Sequence, residues 1–374
     1  MKEVNLIYTP DDLGPEKVIC AFDPAAGMQG ILVVDNTALG VGKGGVRLVP
    51  DLDAGDALRL ARKMTLRNAM ADLPFGGAAG AIRHDTAAGD RDRMMRAFFR
   101  SLGSLIPNEY VCGLDTDAGE EDVAVIAEEL CGRRSDSGRP AFVGGTRYDQ
   151  LGLTGYGVIK AVMAACEFKG IAARGARLAV QGFGALGRSV VKFACEEQMN
   201  VVAVADVKGG VYHPEGLEAQ ALYKEYAERG TVAYFSRGKG FAPGEELTVA
   251  CDILVLCARA ETQERAARQI KAPIIAEGAS GAVLPEVRNY LEARGAIYLP
   301  DMIIRVGGMI GAYVEYINGT PMTAIEKVSG TVTRNVQTVL CESHIKGITT
   351  REAGIALARE RVVRAMKAKG TWQE

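Results

Sequence analysis

The stretch RLAVQGFGALGRSVVKFACEEQMNVVAVAD, residues 177–206, constrains the fold more than any other part of the chain. An apolar run leads into Gly182, Gly184 and Gly187, spaced G-x-G-x-x-G. A helical pattern follows, and a second apolar run ends on Asp206, 24 residues after Gly182. Strand, glycine turn, helix and strand, closed by an acidic residue, is the fingerprint of a dinucleotide-binding βαβ unit. The first glycine permits the tight turn, the second lets a pyrophosphate approach the backbone, and the third lets helix and strand pack closely, with the phosphates on the helix N-terminus. Gly182, Phe183, Gly184, Ala185, Leu186 and Gly187 are therefore the expected cofactor loop, and Asp206 the expected acceptor for the adenosine ribose. A carboxylate at 206 repels a 2′-phosphate, so NAD is favoured over NADP, although Lys208 and Arg188 lie close enough in sequence to blunt the preference.

The rest of the chain organises around this unit. CDILVLCA and APIIAEGA are short, nearly continuous apolar runs, as strands of a parallel sheet covered on both faces should be, so the second domain reads as doubly wound. Before it, residues 30–39 read as a strand, 54–70 as a helix with basic residues on its outer face, and 90–106 and 119–131 as amphipathic helices. Residues 109–117 read as a strand leading into a loop, and LPFGGAAGAI, Leu73–Ile82, as a glycine-rich turn. This is a mixed α/β domain. Turn formers crowd residues 133–146, the expected boundary, and a long helix follows from Leu153. The segment Thr323–Lys369 is helical without a core of its own. The expected division is 1–145, with 325–374 packing back on it, and 146–324.

Composition narrows the function. The 374 residues, 48% hydrophobic, suffice for two ordinary cores. Forty-four basic and 46 acidic residues leave a net charge of −2, so no global field favours nucleic acid or an anionic membrane, and a small-molecule ligand fits better. The eight cysteines include no C-x-x-C pair, which points away from a zinc site or a disulfide framework and toward reduced core thiols. No basic leader with an apolar core opens the chain, and a cytoplasmic protein is expected.

The ordered run of GKGGVRLVP, MTLRNAMADLPFGG, LTGYGV, VQGFGALG, VADVKGGVYHPEGL, CDILVLCA, IAEGASG and PDMIIRVGG resembles the glutamate/leucine/phenylalanine/valine dehydrogenase family over nearly the whole chain. The resemblance implies a substrate domain built from the N-terminal segment and the C-terminal helices, a Rossmann domain between them, and a homo-oligomer. It also implies oxidative deamination of an L-amino acid to a 2-oxo acid with NAD(P). Lys43 falls where glutamate-type members pair a lysine with the substrate's side-chain carboxylate, and Arg67 where a lysine binds the α-carboxylate. Asp115 matches the catalytic aspartate when the stretch is laid down without gaps through the following helix, with Asp117 the rival match. Thr154 corresponds to the threonine on the nicotinamide carboxamide, and Ala258 and Ser280 to positions beside the nicotinamide ribose.

Three further positions depart from the family pattern. Ala79 replaces the lysine that activates water, Arg305 the asparagine of A-N-A-G-G, and Ala312 the serine that helps hold a glutamate side chain. Losing a positioned acid/base lysine costs about two to four orders of magnitude in rate. Two readings follow. One is an oxidoreductase with a changed substrate or reaction, in which Asp115 stays as acid/base, Arg305 or less readily Arg67 supplies positive charge, and a larger substrate fills the space at Ala79. The other is a catalytically weak paralogue that binds cofactor or an amino acid as a regulatory subunit.

Overall fold

A computed structural model describes residues 10–84, 90–113, 120–130, 136–138, 145, 151–258 and 268–372. The chain divides into two compact units: Met1–Tyr148 with Met309–Ala324 and Ile355–Glu374, and Asp149–Gly308 with Ile325–Gly354.

In the first unit, the strands are β1 (Lys17–Asp23), β2 (Met28–Asn36), β3 (Gly42–Gly44), β4 (Val46–Val49), β5 (Gly76–Arg83) and β6 (Tyr110–Cys112). Among the described residues they form one mixed sheet in the order β1-β2-β5-β3-β6, with β4 also on β5. Helix α1 (Ala54–Met70) starts at Asp53, whose side chain accepts the Gly55 N–H at 2.8 Å. Its small residues Ala54, Ala57 and Ala61 form an apolar seam against Ile31, Val33, Ala79 and Ala81 on one face of the sheet. Helix α2 (Arg91–Ser101) covers the other face, where Met95, Phe98 and Phe99 pack on Leu32, Val34, Ala78 and Ile82. Arg91 of α2 pairs with Asp122 of α3 (Glu120–Glu129) at 2.8 Å.

The glycine-rich stretch expected as a turn is the central strand β5. It runs antiparallel to β2, with Val33 opposite Ala79, and parallel to β3, with Lys43 opposite Gly77. None of Gly76, Gly77 and Gly80 has positive φ. They are glycine for lack of room: a Cβ on Gly76 would collide with the Asn36 carbonyl, one on Gly77 with Thr65 of α1, and one on Gly80 would stand 2.8 Å from Val46. Glycine density here reports close packing of strand on strand and strand on helix rather than a reversal of the chain.

The second unit opens with α4 (Leu153–Lys169) and continues through β7 (Arg177–Gln181), α5 (Ala185–Glu196), β8 (Asn200–Asp206), β9 (Gly209–Tyr212), α6 (Ala219–Arg229), β10 (Lys239–Phe241), β11 (Ile253–Leu256), β12 (Ile274–Glu277), α7 (Pro285–Ala293), β13 (Ile297–Leu299) and α8 (Asp301–Ile304). Its sheet has the order β10-β9-β8-β7-β11-β12-β13. The five strands from β8 to β13 are parallel, and β9 and β10 add an antiparallel edge. The order reverses between β7 and β11, the switch point of a doubly wound sheet.

Three further helices complete the chain: α9 (Gly307–Tyr316), α10 (Pro321–Lys346) and α11 (Thr350–Lys369). All of residues 325–374 are expected to pack on the first domain. Instead, residues 325–354 group with the second unit, because α10 packs on α4: Val328 and Val332 lie 3.4 and 3.6 Å from the Cβ position of Gly157. From Ile355 onward α11 groups with the first unit, as does Met309–Ala324, expected in the second domain; there Arg361 donates to the Ala69 and Met70 carbonyls at 2.9 and 3.2 Å. Among the described residues no helix is long and apolar enough to cross a membrane.

Candidate active site

In the first unit the site builds from β3 and the end of α1. Lys43 lies mid-strand in β3 and is only 5% exposed. Its amine stands over the Phe75 ring, 4.8 Å from the centroid. Burial pushes the amine down from its ordinary 10.5 to about 8, against the opposing pull of the Glu315 carboxylate and of Cys112. Lys43 is thus a cation at neutral pH that loses its charge just above it.

Glu315, on α9, accepts the Gly138 N–H at 2.8 Å, and Tyr313 and Tyr316 of the same helix meet Phe75 edge-on. Sequence reasoning missed Glu315. The signal lay in MIGAYVEY, one turn beyond Ala312, because residues three apart share a helix face. A Cβ on Gly113 would stand 3.6 Å from Lys43 Cε and 3.7 Å from the Ser137 hydroxyl, so the strand that leads toward Asp115 passes beside the lysine. Asp115 and Asp117 themselves lie outside the described residues.

Arg67 occupies the last turn of α1 and is half-buried. The next residue, Asn68, is fully buried and donates to the Gly76 carbonyl at 2.6 Å and to the Lys43 carbonyl at 3.3 Å. That amide ties the helix end carrying Arg67 to the strands carrying Lys43 and Gly76. Ala79 differs from both. It is 3% exposed, with its methyl in the seam between β5 and α1, so the position offers neither an amine nor open space. Ala312 lies on α9 and is half-buried.

In the second unit the glycine loop has the shape a dinucleotide requires. Gly182 has φ +92°, and a Cβ there would stand 2.8 Å from that of Ala258. A Cβ on Gly187 would collide with the Gly182 carbonyl. Gly184, at the start of α5, is exposed, and nothing lies within 4 Å of its Cβ position. Two glycines let the turn close and the third leaves clear approach to the exposed N-terminus of a helix. Ala185 and Leu186 form its first turn, and Phe183 turns inward to stack on Tyr223 at 5.9 Å.

Asp206 ends β8 as expected, but its carboxylate is already engaged. It accepts the Lys208 N–H at 2.8 Å, the Thr231 hydroxyl at 3.0 Å and the Val232 N–H at 2.7 Å. Of roughly four lone-pair positions, one remains for a ribose hydroxyl.

On the other side of the switch point, Ser280 donates to Asp301 and accepts from Arg305 Nη1 at 3.3 Å. Gly308 brings α9 against Thr154, whose hydroxyl lies 3.0 Å from the glycine's Cβ position. Thr154, Ala258, Ser280 and Arg305 thus all gather beyond the C-terminal ends of β7 and β11–β13. Two buried carboxylates at this rim, Glu277 and Asp301, escaped the sequence reading although IAEGASG and PDMIIRVGG contain them. Glu277 accepts the Gly281 N–H at 2.8 Å and closes the turn that presents Ser280; burial and the nearby Asp301 raise its pKa.

Residues 15–131 match the model of the Glu/Leu/Phe/Val dehydrogenase dimerisation domain, and residues 144–370 that of the Glutamate/Leucine/Phenylalanine/Valine dehydrogenase domain. The chain belongs to this dehydrogenase family. It is 33% identical to the glutamate dehydrogenase of Aeropyrum pernix over 364 residues, covering 90% of this chain and 85% of that one. It is 30% identical to the NADP-specific glutamate dehydrogenase of Saccharolobus shibatae over 383 residues, covering 95% and 90%. Among solved structures, the hetero-hexameric glutamate dehydrogenase of Thermus thermophilus in its Leu-bound form superposes with a TM-score of 0.79 at 31% identity, covering 96% of this chain and 91% of that one.

This amino acid dehydrogenase is an oxidoreductase of the class acting on CH–NH2 groups with NAD(P). The residues of the second unit fit a dinucleotide: the open Gly184 would leave room for a pyrophosphate, and Ser280 and Thr154 would offer polar groups to the nicotinamide end. At position 79 the structure places a packed methyl, 3% exposed, between β5 and α1.

Proposed function

We propose that the chain is a cytoplasmic, homo-oligomeric NAD(P)-dependent oxidoreductase acting on an amino acid or on the imine of a 2-oxo acid. The observation that carries this reading is the intact cradle, with Gly184 open and exposed between two glycines that admit no side chain. A chain relieved of cofactor binding has no physical need to hold all three. Bound dinucleotide supplies the hydride acceptor or donor. Lys43 offers a buried cation to an acidic or polar substrate tail, Arg67 offers one to the α-carboxylate, and Asp115 is the proposed proton carrier at the amine. Asp206 supports NAD over NADP, since its charge opposes a 2′-phosphate even with three of its lone pairs in use.

The step that this site can assist follows from Ala79. Oxidative deamination requires water to add to the iminium before ammonia leaves, and no amine stands at position 79 to activate that water. Reduction of a preformed imine needs one hydride at carbon and one proton at nitrogen, and no water. Hydride transfer between an amine and a preformed imine is therefore the proposed step, since reductive amination from ammonia exchanges water through the same intermediates as deamination.

A second reading, a regulatory subunit that binds cofactor or an amino acid without turnover, is favoured by the packed Ala79 and by the hetero-hexameric state of the Thermus thermophilus relative. The two separate in one assay of the purified full chain: NADH and NADPH with a panel of 2-oxo acids plus ammonia or small amines, and NAD and NADP with L-amino acids. Turnover on any member supports the enzyme. NADH binding without turnover across the panel sinks the enzyme reading and leaves the regulatory subunit.

A further inference from the structure

Apart from the cofactor cradle, the second unit holds a cavity of about 550 Å³ where α4, α7 and α10 end against the start of β13. Thr154 and Lys169 lie 15 residues apart at opposite ends of α4, roughly 22 Å of helix, so this cavity is separate from the rim at Thr154. Its volume falls in the range of about 300–1,000 Å³ that suits a small molecule. The walls are tied to one another. Lys169 donates to the Gly295 carbonyl at 2.8 Å, joining the end of α4 to the turn after α7, and Gln337 of α10 donates to Glu167 of α4 at 3.4 Å. The Ser343 hydroxyl donates to the Ile348 carbonyl at 2.6 Å and closes the turn after α10. Phe168, Leu340 and Ile348 supply apolar lining, and the Phe168 ring meets that of His344 edge-on with 6.2 Å between centroids.

One lining residue has a hydrogen bond still to make. Glu292, in the last turn of α7, accepts the Thr350 N–H and hydroxyl on Oε1 at 2.9 and 2.8 Å, which anchors the first turn of α11. Its other oxygen, Oε2, is buried and has no hydrogen-bond donor among the described residues. A buried acceptor without a donor is costly. The terminal torsion of a carboxylate is broad, so a modest turn presents Oε2 to the cavity at little cost. A charged N–H donor makes the stronger bond to a carboxylate, and a cation beside an aromatic ring gains further. Lys169, which also lines the cavity, already has its amine on Gly295.

We infer that this cavity binds a small organic amine, with its ammonium group on Glu292 Oε2 and its apolar body against Phe168, Leu340 and Ile348. The inference depends neither on the dinucleotide site nor on the reaction proposed above.

The test is equilibrium binding, not turnover. Benzylamine and its uncharged isostere benzyl alcohol are titrated into the full chain near neutral pH by calorimetry, for the wild type, Glu292→Gln and Phe168→Ala. Thermal midpoints check folding, and hydrogen exchange locates the ligand. Glutamine keeps an acceptor for Thr350, and Phe168 is 42% exposed, so both variants should fold. The expected Kd for benzylamine is on the order of 1 mM, with benzyl alcohol at least about tenfold weaker. That preference should vanish in Glu292→Gln, and Phe168→Ala should weaken both ligands. Protection should appear at residues 289–297 and 343–350. Equal binding of amine and alcohol by the wild type overturns the inference, as does an undiminished preference for the amine in Glu292→Gln or unchanged binding in Phe168→Ala. Protection confined to other residues, such as those around Lys43 and Arg67, puts the amine in the proposed substrate site and equally overturns it. So does the absence of binding at concentrations that would saturate such a site. The wild-type comparison and Phe168→Ala decide the matter even if Glu292→Gln unfolds.

Discussion

Replacing Gly184 by alanine separates what the glycine cradle does for the fold from what it does for the cofactor. Gly184 has φ −71° and ψ −163°, which alanine adopts without strain, and its Cβ position meets nothing within 4 Å. Two small effects then oppose each other. Restricting the unfolded chain stabilises by about 0.4–1 kcal/mol, while alanine caps a helix less well than glycine by a similar amount, roughly 0.5–1 kcal/mol. Stability should therefore stay within about 0.5 kcal/mol of wild type. The new methyl, however, occupies the clear space in front of the α5 N-terminus. Loss of a single charge-assisted hydrogen bond there is worth about 1.5–3 kcal/mol, roughly 10- to 100-fold in Kd. Urea unfolding and an NADH titration on the same preparation read the two quantities. Gly187→Ala is the contrast, since its Cβ collides with the Gly182 carbonyl and both stability and binding should fall. Wild-type NADH affinity in Gly184→Ala, or a stability loss above about 2 kcal/mol, would refute the reasoning that this glycine is kept for ligand approach.

Other outcomes follow from the first unit. Lys43 titrates near 8 in the fold against 10.5 ordinarily, so the cost of its buried charge is present in full below pH 8 and fades as pH rises toward 10.5. Lys43→Met should accordingly be more stable than wild type at pH 7, by at most about 3 kcal/mol, with the advantage shrinking between pH 8 and 10.5 in denaturant titrations. An advantage that does not depend on pH would contradict this. For a substrate with an acidic tail, KM should also climb above pH 8 as the amine loses its charge. Arg62 donates to the buried Asp35 at 2.8 Å and also holds Asp11; Arg62→Met strands the Asp35 carboxylate and should cost about 3–5 kcal/mol by urea unfolding. Ala79→Lys forces a long side chain into a seam whose partners Ala57 and Ala61 have no exposed surface, and should lower stability by about 1–3 kcal/mol or more. Unchanged stability in that variant would mean that the seam opens and that a lysine there can reach solvent or substrate.

Much of the fold could be read from the chain because local pattern and tertiary role coincide. Helix α1 occupies the expected residues 54–70, and the run from β7 to β8 carries its own turn, helix start and acidic terminus. Legibility failed where one residue type serves two physical ends. The glycines of β5 read as a turn because glycine most often marks one, yet here they admit the Asn36 carbonyl and Thr65. Only pairing partners distant in sequence reveal that. Likewise, the amphipathic stripe of α10 announces that the helix packs but not on what, and it went to α4. Lys43 could be named from its motif. Its burial could not, since that depends on Phe75, Gly113 and Glu315 from three separate stretches. Asp206 ends β8 where the pattern puts it, but the turn at 231–232 that claims its oxygens lies 25 residues away and leaves no trace near position 206.

The division of the chain also sets an order of events during synthesis. The second unit closes once residue 354 has emerged, since its segments are Asp149–Gly308 and Ile325–Gly354. The first unit, though it holds the start of the chain, also needs Met309–Ala324 and Ile355–Glu374. Arg361, which satisfies the last carbonyls of α1 beside Arg67, emerges only after both segments of the second unit. The second unit can thus mature while the first still waits for α11, and a chain stalled near residue 354 should be able to bind a dinucleotide at the proposed cradle before it can complete the end of α1.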